Sequence, residues 1–180
     1  MGRIDISKGI KETIEIFKSL KNNPKLEFAI YGIHMLEDKK GIEIYNWLKK
    51  QTDIKYVTID RKKYSPEMEE QTQRILKETD IFIQPYKKLS STIDTPVLLL
   101  EAMASLCVVI TKPFGNILEI YGKSKFLIPE ETFVPAAINL LQDISSEDIE
   151  EERKRIYQQN QKFNFRASEM AIKFLQALGE

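Results

Sequence analysis

The sequence predicts an α/β protein with a Rossmann-like, doubly wound parallel sheet, its helices on both faces making a three-layer α/β/α arrangement. Three observations carry that prediction. Short apolar runs rich in β-formers alternate with stretches of helical periodicity, the pattern of parallel βαβ units with right-handed crossovers. One run, Cys107-Val108-Val109-Ile110, is apolar at every position, as a strand covered on both faces must be. No internal repeat, low-complexity tract or linker rich in Gly, Pro or Ser breaks the chain, so residues 1–180 read as one domain, long enough to bury a core.

The elements follow in order. Arg3-Ile4-Asp5-Ile6 is a short apolar piece, followed by Ser7-Lys8-Gly9. Ile10, Ile14, Phe17 and Leu20 then recur at helical spacing until Asn22-Asn23-Pro24 stops the helix. Leu26, Phe28 and Ile30 alternate with other residues up to Gly32, which predicts a strand. Ile42, Tyr45 and Leu48 mark a second helix, and Ile54 to Ile59 a second full strand. Ser65-Pro66-Glu67 opens a third helix, with Ser65 as cap, Pro66 at the first position, and Met68, Ile75 and Leu76 facing inward. Ile81-Phe82-Ile83 is a strand ending at Gln84-Pro85, and a polar loop follows from Tyr86 to Thr92.

The next helix has Thr95 as the expected cap and Pro96 at its first position, then Val97-Leu98-Leu99-Leu100 and Glu101-Ala102-Met103-Ala104. After the strand at Cys107 to Ile110, Lys112 to Asn116 is a turn and Ile117 to Tyr121 a short helix. Phe126-Leu127-Ile128 predicts a last brief strand. Helices are expected over Phe133 to Leu141, Glu147 to about Gln161, and Arg166 to Leu178.

Composition narrows the function. Lys plus Arg and Asp plus Glu number 27 each, giving zero net charge and no global field to draw nucleic acid or an anionic membrane. No apolar run approaches the roughly 20 residues of a bilayer span, and no signal peptide opens the sequence. The one cysteine, Cys107, sits in an apolar run and reads as an inert core thiol, which fits a reducing, cytoplasmic compartment. With one histidine and no Cys/His ligand spacing, metal chemistry based on those residues is not expected.

In a doubly wound sheet, ligands bind outside the carboxyl ends of the strands where strand order reverses. The loops to inspect are Asp5 to Gly9, Gly32 to Met35, Pro85 to Thr95, and Lys112 to Asn116. Arg3 and Lys8 flank the first of these, with Gly9 at the helix start. They are either ordinary surface cations or an anion site in which helix N–H groups add to side-chain charge. Gly115-Asn116 before Ile117 is either a plain helix cap or a place where backbone approaches a ligand closely. His34 reads as a loop residue rather than a catalyst, and Tyr86 as a shield over its loop more than a base-stacking platform. Glu101 is a solvated edge acid, or else a carboxylate that something must hydrogen-bond, because burying it without a partner is costly.

Taken together, Gly2-Arg3-Ile4, Lys8-Gly9, Ile30-Tyr31-Gly32, Thr79-Asp80-Ile81-Phe82-Ile83-Gln84-Pro85, Leu100-Glu101-Ala102-Met103-Ala104, and Gly115 with Glu119-Ile120 resemble the C-terminal domain of retaining GT-B glycosyltransferases, the group 1 family (family 4). The resemblance runs from Gly2 to about Phe165. It implies the donor-binding half of a GT-B fold, in which Arg3 and Lys8 hold the donor diphosphate, Glu101 hydrogen-bonds the nucleotide ribose as the second glutamate of an E-x7-E motif, and Gly115 and Asn116 lie beside diphosphate and sugar. It implies a nucleoside-diphosphate sugar as donor substrate, no cofactor and no metal, since Arg and Lys can offset the leaving group's charge.

The first E-x7-E glutamate would fall at Ile93, so the neighbouring Asp94 is the candidate catalytic carboxylate. Leu106, Val108 and Asn116 also depart from the family pattern. The implied partners are the sugar nucleotide and an N-terminal acceptor domain, absent here; nucleic acid and a direct membrane span are not expected. The full-length enzyme is expected in the cytoplasm, with room for peripheral membrane association. The alternative is a degenerate, non-catalytic module that binds a sugar nucleotide or a protein.

Overall fold

A computed structural model describes residues 2–3, 8–33, 39–50, 55–59, 66–86, 94–163 and 176. The strands are β1 (Gly2–Arg3), β2 (Ala29–Ile33), β3 (Lys55–Ile59), β4 (Ile81–Gln84) and β5 (Val108–Thr111). Between and after them come α1 (Ile10–Leu20), α2 (Lys39–Leu48), α3 (Pro66–Lys77), α4 (Val97–Ala104), α5 (Ile117–Tyr121), a 3-10 turn at Glu130–Thr132, α6 (Phe133–Asp143) and α7 (Ser146–Phe163). Every strand pairing is parallel, as the alternation of strands and helices requires. The pairings form two pieces, a three-stranded sheet ordered β1-β2-β3 and a two-stranded sheet β4-β5. The chain steps outward from β1 to β3 and then returns to β4, so strand order reverses between β1 and β4. α3 packs on α4. α6 packs on α1, while α7 packs on α4 and α5.

β5 is the centre of the larger core: all four of its residues are buried, joined by Leu99, Ala102 and Met103 of α4, Ile117 and Tyr121 of α5, and Phe126, Phe133 and Ile156. A second, smaller core holds Ile10 and Phe17 of α1 with Leu48 of α2. Phe17 meets Phe28 edge to face, with ring centroids 5.7 Å apart, a geometry favoured by the ring quadrupoles. Cys107 is buried, and desolvation pushes its thiol up to about 12, so it is the inert core thiol expected.

Three local expectations are corrected. Pro96 is not the first residue of α4; with φ −62° and ψ 125° it is the N-cap, and no side chain caps this helix. Leu99 N–H instead donates to the Pro96 carbonyl at 2.9 Å, a tight first turn. Phe126-Leu127-Ile128 does not form a strand; only Leu127 makes a parallel bridge, to Thr111. The reason lies in Tyr121, whose fully buried hydroxyl accepts the Val109 N–H at 3.0 Å and so occupies the outer edge of β5 where a strand would pair. The helix at Ser146–Phe163 begins earlier than the periodicity suggests, because Asp148 reaches back to accept the Ser145 N–H at 3.0 Å. The expected elements at Ile4 to Ile6 and the helix from Arg166 to Leu178, apart from position 176, lie outside the described residues, as do His34 and Ser65.

Candidate functional site

Three strand-to-helix connections meet at the carboxyl ends of the strands. The first is held by Gly9, the N-cap of α1, at φ +77°. A Cβ there would stand 2.2 Å from the Pro85 carbonyl oxygen, so only glycine lets the loop after β1 rest on the end of β4. Thr13 N–H and hydroxyl both donate to the Gly9 carbonyl, at 3.0 and 3.1 Å, fixing the helix start. Lys8 precedes it, with Nζ 4.3 Å from the centroid of the Tyr86 ring. That cation–π contact ties the loop after β1 to the loop after β4.

The second meeting point is between Asp94 and Gly115. Gly115 has φ +51°, and a Cβ on it would lie 2.6 Å from the Asp94 carbonyl oxygen. Asn116 N–H donates to that same oxygen at 3.2 Å. The loop that enters α4 and the loop that enters α5 are therefore joined through backbone, leaving Asp94, Gly115 and Asn116 exposed or half-exposed together at one rim. Asn116 is the N-cap of α5 without a side-chain cap bond.

Glu101 lies one turn into α4, half-buried. Among the described residues, none donates a hydrogen bond to its carboxylate. Burial and the nearby Glu69 both push its pKa above the ordinary carboxylate range, so the ionised form is held at a cost. Arg3 is placed on β1 opposite Ile33. Ile93 lies outside the described residues.

Two residues at this end were not singled out from sequence. Lys112, immediately after β5, is buried; its Nζ lies 3.6 Å from Glu130 and 3.9 Å from Glu12 on the first turn of α1, and 5.1 Å from the Phe133 ring centroid. It ties the end of β5 to α1. Gln84 closes β4 with its side chain buried and both amide atoms without a hydrogen-bond partner, while its carbonyl accepts the Thr111 hydroxyl at 2.8 Å. The available signal was a polar residue ending an apolar strand run, which in a parallel sheet faces the ligand end. Among the described residues, no group of three or more His, Cys, Asp or Glu side chains could hold a metal ion, and no helix is long and apolar enough to cross a membrane.

A parallel, doubly wound sheet whose glycine-cornered loops converge at its carboxyl ends is a ligand-binding α/β domain of the nucleotide-binding kind. The chain belongs to the glycosyl transferases of group 1, the family whose sequence profile matches residues 1–143. Its fold is that of GT-B glycosyltransferases. The pneumococcal O-GlcNAc transferase GtfA, solved with UDP and GlcNAc, superposes with a TM-score of 0.66 at 19% identity, over 98% of this chain and 34% of that one. A Staphylococcus aureus TarM variant, solved with fondaparinux, alpha-GlcNAc-glycerol and UDP, gives a TM-score of 0.58 at 18% identity, over 97% and 34%. This chain thus spans about a third of those structures. No curated protein matches the sequence significantly.

Proposed function

We propose that this chain is the donor-binding half of a retaining glycosyltransferase that passes a glycosyl group from a nucleoside-diphosphate sugar to a glycan, lipid or small-molecule acceptor. The observation that carries the reading is the Glu101 carboxylate: half-buried, without a donor among the described residues, and raised in pKa by burial and Glu69. A ribose offers two vicinal hydroxyls, which would satisfy such a carboxylate in its ionised form. Lys8, and Arg3 on the adjoining strand, supply the cations for the diphosphate; Gly115 and Asn116 supply backbone that a ligand can approach closely. Asp94, joined to Gly115 and Asn116 at the rim, is the carboxylate nearest in sequence to where the family's first glutamate would stand, at Ile93. The departing diphosphate accepts the acceptor's proton, so the chain need supply no nucleophile.

The acceptor half belongs to a separate N-terminal domain, consistent with the third of each neighbouring structure that this chain covers. Without that domain the acceptor is not positioned, and positioning supplies much of the rate in group transfer. The 180-residue chain therefore binds nucleotide and turns over little or no sugar. In the cell we place the whole enzyme in the cytoplasm.

Calorimetry with UDP, GDP and ADP tests the reading. One of the three should bind, and Glu101→Gln should weaken it at least tenfold, about 1.4 kcal/mol. Unchanged affinity in a folded Glu101→Gln variant would remove Glu101 from the site. The substitution of isoleucine at position 93 favours one second reading, a degenerate module that binds without transferring. Absence of binding by all three nucleotides would favour it.

A further inference from the structure

Lys112 is a buried cation that the proposed function leaves unused. It is 3% exposed and stands directly after β5, where a lysine would ordinarily reach into solvent. Its Nζ lies 3.9 Å from Glu12 and 3.6 Å from Glu130, with the Phe133 ring centroid at 5.1 Å. The two acids differ in setting. The Glu130 side chain is 51% exposed, so water and salt screen it; the Glu12 side chain, at 14%, is largely enclosed. The enclosed pair is therefore Lys112 with Glu12, and charges out of water act on their neighbours more strongly.

Glu12 occupies the first turn of α1. The Thr13 N–H to Gly9 carbonyl bond opens that helix, so the N–H groups of Ile10, Lys11 and Glu12 stand ahead of it, at the positive end of the dipole. Together with Lys8 before Gly9, they form the end of α1 to which a phosphate is drawn. A carboxylate in the same turn opposes this: it takes up the dipole's preference for negative charge and repels a second anion. Lys112 offsets that carboxylate. The same residue starts the loop from Lys112 to Asn116, whose far end is fastened to Asp94 through Gly115 and the Asn116 N–H. One ammonium thus compensates an acid at the start of α1 and holds the near end of the loop proposed to lie beside the sugar nucleotide.

We propose that Lys112 is a positioning residue for the donor's diphosphate. Acting through Glu12, it leaves the start of α1 electrostatically open to a dense anion and sets the loop of Gly115 and Asn116 against it. The ligand class, a nucleoside diphosphate, rests on the donor-binding reading; the residue and its means of action are separate from the groups proposed to hold that ligand. A merely mechanical tie between β5 and α1 would behave differently, since losing either partner would loosen the same joint. Charge compensation gives the two partners opposite signs.

The test uses the 180-residue chain with inorganic pyrophosphate, followed through the amide shifts of Gly9 to Thr13, and with UDP, GDP and ADP by calorimetry. Lys112→Met keeps a stem against Phe133 and removes the charge, and should weaken pyrophosphate binding about tenfold. Glu12→Gln should strengthen it about threefold, and in the Lys112→Met background should restore affinity to within about threefold of the original. Affinity for the nucleoside of whichever nucleotide binds should stay unchanged in every variant. Weaker pyrophosphate binding by Glu12→Gln, or no rescue in the double variant, would overturn the proposal and leave a mechanical tie. So would equal losses for nucleoside and pyrophosphate, or no pyrophosphate shift in the unaltered chain. If Lys112→Met does not fold, the sign of the Glu12→Gln effect in the otherwise unaltered chain decides. Pyrophosphate bound in the expected pattern, with none of the three nucleotides bound, would overturn the donor-binding reading while supporting the role of Lys112 at an anion site.

Discussion

Two residues set the terms of the candidate site. Burial and then Glu69 both raise the pKa of Glu101, so the fold disfavours its ionised form. A carboxylate whose folded pKa lies above its unfolded value destabilises the fold once pH exceeds that unfolded value, and has no effect well below it. Glu101→Gln is therefore expected to raise Tm at pH 7, with the gain shrinking to nothing as pH falls below the ordinary carboxylate pKa. Thermal melts of both proteins across that range check this. The same variant should lose nucleotide affinity, the usual exchange between stability and function at a site that is strained while empty. Gly9 works in the opposite sense. Its left-handed φ and the 2.2 Å approach to Pro85 leave no room for a methyl group. Gly9→Ala should cost at least about 2 kcal/mol in urea denaturation, through backbone strain and the displacement of the loop from β4.

Among the elements, β5 is secured by side chains where backbone pairing ends. On one edge it pairs with β4; on the other, Val109 N–H is taken by the Tyr121 hydroxyl and Thr111 N–H by the Phe126 carbonyl. α7 then holds Tyr121 in place. Arg155 lies with its guanidinium 4.5 Å from the Tyr121 ring centroid and donates to the Tyr121 carbonyl, while a bidentate pair of hydrogen bonds at 2.8 and 2.6 Å fixes it to the buried Glu152. Glu152 also accepts the Ser124 hydroxyl at 2.8 Å. Tyr121→Phe keeps the ring and removes the acceptor for a buried N–H, which should cost about 1–3 kcal/mol in a chemical denaturation experiment. The expected strand at Phe126 to Ile128 gives way to this arrangement, a side chain substituting for a ladder.

For the molecule as a whole, the two sheets and the two cores follow one line of division. On one side β4, β5, α4, α5, α6 and α7 form a dense interior that also takes Ile16 and Leu20 of α1; on the other β2, α1 and α2 enclose a smaller one. The candidate site straddles the line. Gly9 and Lys8 come from one side, and Pro85, Tyr86, Glu101 and the joined Asp94 and Asn116 from the other.

Sequence alone determined the parallel α/β class and, apart from the strand expected at Phe126 to Ile128, the order of the described elements, because hydrophobic periodicity and strand–helix alternation are local and leave few topologies open. Glu101, Gly115 and Asn116 stood out through the resemblance to the group 1 family, since residue chemistry alone left each an ordinary alternative. Only the tertiary structure decided that Gly9 rests on Pro85 and Gly115 on Asp94, since close approach between loops distant in sequence leaves no mark in composition or spacing. The buried setting of Lys112 and the Tyr121 hydroxyl on the edge of β5 were likewise out of reach. A charged residue in a turn and an aromatic in a short helix read as solvent-facing cation and core, until the neighbours that bury them are in place.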